Sequence, residues 1–91
     1  MPELLVFVNI FAESPDMEEV VRVLSQLSNV EELYEVTGEF DIVALVSAAG
    51  IEEFRDVLKN KILKIKGVRS TVTSIVMNAP KGPRNEYLTE P

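Results

Sequence analysis

Two stretches of this chain carry apolar side chains at both parities of an extended backbone, and this limits what it can fold into. Leu4 to Phe11, LLVFVNIF, is the first. The second is the latter half of Val30 to Val46, VEELYEVTGEFDIVALV, where Phe40, Ile42, Ala44 and Val46 share one parity and Val43 and Leu45 the other. A strand apolar on both sides needs cover above and below, so both segments read as central strands of a sheet. Ahead of the second, Tyr34 and Val36 alternate with Glu35 and Thr37, the pattern of a strand with one wetter face. A tight turn is expected at Gly38-Glu39. Just past it one carboxylate, Asp41, interrupts the apolar run with no cation beside it in sequence.

Helical patterning fills the gaps between strands. Ser14-Pro15-Asp16 reads as a helix start, with Ser14 or Asp16 as cap and Pro15 in the first turn; if Asp16 caps, Glu19 completes a capping box. Met17, Val20, Val21, Leu24 and Leu27 follow as an apolar stripe, and Ser28-Asn29 ends the helix. After Ala48-Ala49-Gly50, a second stripe runs through Ile51, Phe54, Val57, Leu58 and Ile62. Glu52 and Glu53 lie in its first turn and Lys59 and Lys61 near its end. Leu63 to Gly67 is a short connection closed by a glycine turn. Val68 to Met77, VRSTVTSIVM, is the last strand, and Arg69, Thr71 and Thr73 on one parity suit it to an edge.

The order strand, helix, strand, strand, helix, strand is two βαβ halves. Right-handed crossovers fold it into an α+β, ferredoxin-like βαββαβ sandwich: a four-stranded antiparallel sheet with two helices on one face. Residues 1–78 form this single domain, and residues 79–91, rich in proline and charge, form an irregular tail that reads as a loose end, with docking through Tyr87 and Leu88 as the alternative. In this topology the first and third strands are central, and these are the two that are apolar on both sides. Helices on one face leave the other apolar and open, so a homodimer through the open sheet face is expected.

Composition removes most chemistry. The chain of 91 residues has no cysteine and no histidine, so thiolate chemistry, the commonest general base and the commonest transition-metal ligand are absent. No clustered Asp/Glu spacing announces a metal site, and no GxGxxG, P-loop or nucleophile elbow announces a cofactor or an acyl-transfer site. A net charge of −6 argues against direct nucleic-acid binding. The apolar run from Leu4 to Val8 is too short for a membrane span and has no basic segment before it, so the expected compartment is the cytoplasm. Asp41 alone could serve as a base, which keeps a small dimeric enzyme as an alternative.

Two segments carry a family resemblance: Val36-Thr37-Gly38-Glu39-Phe40-Asp41-Ile42 and Lys66-Gly67-Val68-Arg69-Ser70-Thr71-Val72-Thr73. Set in a βαββαβ pattern, they resemble the two motifs of the ligand-binding (RAM) domain of the leucine-responsive regulator/AsnC family, over about Leu4 to Met77. Lys66 stands where the family pattern has proline, which leaves that turn less rigid. Because the chain starts at the first strand, it is similar to the stand-alone form without the helix-turn-helix.

The resemblance implies a non-catalytic regulatory module that senses a small molecule, typically an amino acid, between dimers that build higher oligomers. It also implies Gly38, Asp41, Thr71 and Thr73 as ligand-binding residues. Asp41 would pair with an ammonium, the threonine hydroxyls would bind a carboxylate, and Gly38 would allow close approach. Full-length regulators of the family are the implied protein partners, and a purely assembling partner of them is a further alternative. Read without the resemblance, Gly38 is a hairpin-turn glycine, Asp41 a solvated residue beside it, and the threonines ordinary strand formers.

Overall fold

The computed structural model describes residues 3–83. Strand β1 spans Leu4–Ala12, helix α1 Met17–Ser25, β2 Val30–Glu35, β3 Ile42–Ala48, α2 Ile51–Val57 and β4 Val68–Ile75. The sheet is antiparallel with strand order β2-β3-β1-β4. The two strands that are apolar on both sides are therefore the central ones, and the polar β4 is an edge, as the pattern predicts.

Strand pairing sorts the side chains. Val6, Val8 and Ile10 pair with Val46, Ala44 and Ile42 and point to the helices. Against them pack Val20 and Leu24 of α1, Phe54 and Val57 of α2, and Ile62 beyond it. Full burial of each large aliphatic side chain contributes about 1.5–3 kcal/mol, which makes this face the main source of stability. The opposite parity, Leu5, Phe7, Val43 and Leu45, faces away from the helices.

One end of that open face is covered by the chain itself. The Val76 amide donates to the Leu5 carbonyl at 2.9 Å, extending the β1–β4 pairing past Ile75. Residues 78–83 then bound a cavity of about 300 Å³ together with Leu5, Phe7 and Leu45. Leu5 and Leu45 are buried, whereas Phe7 is 39% exposed, Val72 48% and Tyr34 51%. Tyr87 and Leu88 lie outside the described residues.

Several local features differ from expectation. The β2–β3 connection is wider than a tight turn at Gly38-Glu39: the Val36 amide closes it onto the Asp41 carbonyl at 3.0 Å. Ser14–Asp16 forms a 3-10 turn ahead of α1, so Asp16 is already in a turn conformation (φ −101°, ψ 4°) and makes no side-chain cap. A cap needs an extended residue, and here Glu13 is the extended one. The capping box is consequently absent. Glu19 instead takes both Nε (2.9 Å) and Nη2 of Arg22.

Helix α1 also stops at Ser25, short of Ser28-Asn29. The Ser25 hydroxyl donates to the Arg22 carbonyl at 2.8 Å, and the following amides tighten to i→i−3 bonds. Beyond α2, Leu58–Ile62 continues as a wider turn in which the Leu63 amide reaches the Leu58 carbonyl at 2.8 Å. That i→i+5 geometry keeps Val57 and Ile62, both buried, on one side. Ile51, expected in the stripe, is 51% exposed at the start of α2.

Candidate functional site

Asp41 is built into the sheet rather than hung beside a turn. Its amide donates to the Ile10 carbonyl at 3.0 Å, and its Oδ2 accepts the Ala12 amide at 2.9 Å in a half-buried setting. The β1–β4 pairing shifts register between Phe11 and Ala12. The Ala12 amide faces the other flank, where the regular β1–β3 pairing ends at Ile10 and Ile42, and there the Asp41 carboxylate supplies its partner. No second protein partner of this carboxylate is found among the described residues, so it retains acceptor capacity for a cationic group.

The loop before it is pinned by aromatic packing. The Phe40 ring lies 4.8 Å from that of Phe11, tilted by 55°. Such a pair adds about 0.5–1.5 kcal/mol beyond area burial. Gly38 has φ +117°, and a Cβ there would meet nothing within 4 Å. Its backbone requires glycine, and its surroundings are open.

Thr71 pairs with Ile10 and Thr73 with Val8, which gives both threonines the parity of the helix-covered side. Thr71 is half-buried and Thr73 exposed. Asp41 has the parity of Val43 and Leu45. It is bonded to β1 from the β3 side, whereas Thr71 pairs with β1 from the β4 side. Two strand spacings, about 10 Å, separate them. Within one chain Asp41 and Gly38 share the hairpin loop, Thr71 and Thr73 share β4, and the two pairs sit on opposite flanks of β1.

A second constellation lies at the other end of the sheet. A cavity of about 410 Å³ is lined by Glu3, Asn29, Glu31, Ser47, Ala49 and Glu53, among others. The Ser47 hydroxyl, buried, donates to Glu31 Oε2 at 2.7 Å, and the Asn29 amide donates to both the Ser47 carbonyl and Glu53 Oε2 at 2.8 Å. The Asn29 bond, with the Ala49 amide behind it, holds the Glu53 carboxyl below the usual glutamate range. A depressed carboxyl pKa stabilises the fold above the unfolded-state value and ceases to do so as pH falls through the folded one. The signal for this network was Ser47, a lone hydroxyl in an apolar strand, together with Asn29 and Glu53 well apart in sequence. Among the described residues no three acidic groups are placed to hold a metal ion, and no helix is long and apolar enough to cross a membrane.

Comparison with known proteins gives the family and the fold. The model of the Lrp/AsnC ligand binding domain matches residues 5–85. An uncharacterised helix-turn-helix-type transcriptional regulator of Pyrococcus abyssi is 37% identical over 79 residues, which cover 87% of this chain and 50% of the regulator. The chain thus spans about half the length of the curated relatives it matches first. A homocitrate synthase of Sulfurisphaera tokodaii is 40% identical over 58 residues, 64% of this chain but 12% of that enzyme.

Among solved structures, Escherichia coli AsnC superposes with a TM-score of 0.83 at 32% identity, over 87% of this chain and 54% of AsnC. The M. tuberculosis feast or famine regulatory protein, solved in complex with L-methionine, gives 0.76 at 29% identity over 92% of this chain and 56% of its own. With the family model matching residues 5–85 and the fold superposing closely on that of AsnC, this chain belongs to the Lrp/AsnC family, as a ligand-binding domain.

Proposed function

We propose that this chain is a non-catalytic amino-acid sensor that works as an assembly, pairing through its open sheet face and taking its effector between subunits. The observation that carries the reading is Asp41: a half-buried carboxylate, fixed by one backbone amide, with acceptor capacity left at the rim of the domain. It suits an α-ammonium group. The L-methionine complex of a family relative supports an amino acid as the ligand class. The separation of Asp41 and Gly38 from Thr71 and Thr73 supports a ligand held by two chains. On this reading Asp41 takes the ammonium in one subunit, and Thr71 and Thr73 of another take the carboxylate. Exposed Phe7, Tyr34 and Val72 on the open face support the pairing.

The test is a thermal-shift series with L-methionine and then each other proteinogenic amino acid. At about a hundredfold excess over its dissociation constant, an effector stabilises the domain by roughly 2.7 kcal/mol, several degrees in Tm for a chain of this size. Asp41→Asn should then weaken binding by about 1.5–3 kcal/mol in calorimetry with the fold intact. An unchanged affinity would return Asp41 to a purely architectural role. The same effector should shift the size distribution in light scattering, because ligand binding and association are reciprocally coupled.

The homocitrate synthase match favours a second reading for the partner. The same module, acting on a biosynthetic enzyme in place of a transcriptional regulator, would bring effector control to metabolism directly. Co-purification with a full-length family regulator or with such an enzyme separates the two. Turnover of a substrate, abolished by Asp41→Asn, would support the enzyme alternative instead.

A further inference from the structure

Two consecutive amides at the end of β1 point to different partners. The Ala12 amide goes to Asp41 Oδ2 at 2.9 Å, in the hairpin loop. The Glu13 amide goes to the Gly67 carbonyl at 2.8 Å, in the turn leading into β4. Glu13 is gripped twice more: its carbonyl accepts the Asp16 amide at 2.9 Å, and its Oε2 pairs with Arg69 Nε at 3.0 Å. The Gly67 turn is itself wedged against α1 and the 3-10 turn ahead of it, where an added Cβ would stand 2.5 Å from Asp16 Cβ and 2.9 Å from Val20 Cγ2.

From this we infer that Ala12–Glu13 is a joint tying the hairpin loop to the β4 lead-in, with Asp41 as its positioning residue. The two segments have no direct bond to each other among those described above, and β1 lies between them. Yet a single residue, Ala12, separates the amide held by one from the amide held by the other. Its φ and ψ cannot change at the Asp41 end without re-aiming the Glu13 amide at the Gly67 end. Consecutive amides of a central strand face opposite neighbours, and here, past the end of the β1–β3 pairing at Ile10 and Ile42, the joint is held on that flank by a side chain rather than by a second strand.

The inference rests on the sensor reading for its use. An ammonium that engages the remaining acceptor positions of Asp41 pulls on the carboxylate that also holds the Ala12 amide, so binding on one flank of β1 is transmitted to the β4 flank. The joint biases both segments at once, which is the physical requirement for coupling between them.

Amide hydrogen exchange, read by NMR on the full chain without any effector, tests the joint apart from the sensor. Asp41→Ala should speed exchange of both the Ala12 and Glu13 amides by tenfold or more, with Val8 and Val46 in the core unaffected. Asp41→Asn, whose Oδ1 can still accept, should restore both. Should Asp41→Ala destabilise the whole fold, Glu13→Ala at the exposed end gives the reciprocal reading: exchange of Ala12 should accelerate at least threefold. Loss of protection at Ala12 alone in Asp41→Ala, or an unchanged Ala12 amide in Glu13→Ala, would overturn the joint. Failure of the sensor would appear instead as an absence of any thermal shift with amino acids, leaving these exchange rates where they are.

Discussion

Gly67→Ala is expected to lower the stability of the domain by about 3 kcal/mol or more, with two separable causes. Gly67 has φ +103°, a conformation that costs an L-residue roughly 1–3 kcal/mol. Its new Cβ would also stand 2.5 Å from Asp16 Cβ, and neither atom is the far end of a flexible chain. Relieving such overlap costs typically about 1–3 kcal/mol more. Against a total stability of roughly 5–15 kcal/mol the loss is severe, more than about 10 °C in Tm for a domain of this size. Gly38→Ala is the internal control, since its φ is +117° with nothing within 4 Å of the Cβ. Thermal unfolding followed by circular dichroism should rank Gly67→Ala well below Gly38→Ala. Equal losses at the two glycines would mean that the packing of the turn on α1 contributes nothing.

Aspartate substitutions on the central strands are expected to fall into two groups according to face. Phe7→Asp and Val43→Asp place a charge on the open side, where pairing of two copies would desolvate it. The fold should survive, and self-association should weaken by a hundredfold or more, about 2.8 kcal/mol at 1.4 kcal/mol per factor of ten. Val6→Asp and Ala44→Asp instead place the charge in the core beneath the helices, where both residues are fully buried. Those chains should fail to fold. Sedimentation and circular dichroism measured together distinguish the outcomes. If Phe7→Asp and Val43→Asp both sediment as the unsubstituted chain does, the open face is not the pairing surface.

The layers of the fold were legible because side-chain parity in a strand has a period of two and leaves no ambiguity. Leu4 to Phe11 and Ile42 to Val46 read as apolar on both sides, and only a central strand satisfies that. Element ends were less legible because they are decided by single polar contacts. Ser25 bonding back to Arg22 ends α1 early, and Glu19 turning to Arg22 removes the capping box. Neither choice is visible in apolar periodicity.

The candidate site shows the same division. Gly38 and Asp41 were legible as residues out of place beside a hairpin, and Thr71 and Thr73 as hydroxyls on an edge. The bond from Ala12 to Asp41 was not, since it joins a side chain to a backbone amide 29 positions earlier in sequence, just past the end of the β1–β3 pairing. The covering of Leu5 and Leu45 by residues 78–83 was also hidden, because that segment has no period to read.

The strand order has a further consequence at the two margins of the sheet. The outer margin at β2 carries Glu31, Glu32 and Glu35 among its six residues, whereas β4 presents hydroxyls and Arg69. Backbone groups on any free margin invite another strand, and repetition of that contact builds open-ended fibrils. Two β2 margins laid side by side would set carboxylates against carboxylates, which opposes that pairing. Face-to-face contact carries no such repulsion and closes on itself about a two-fold axis. The acidic margin therefore discourages the pairing of two β2 strands, one of the edge contacts open to a small apolar sheet.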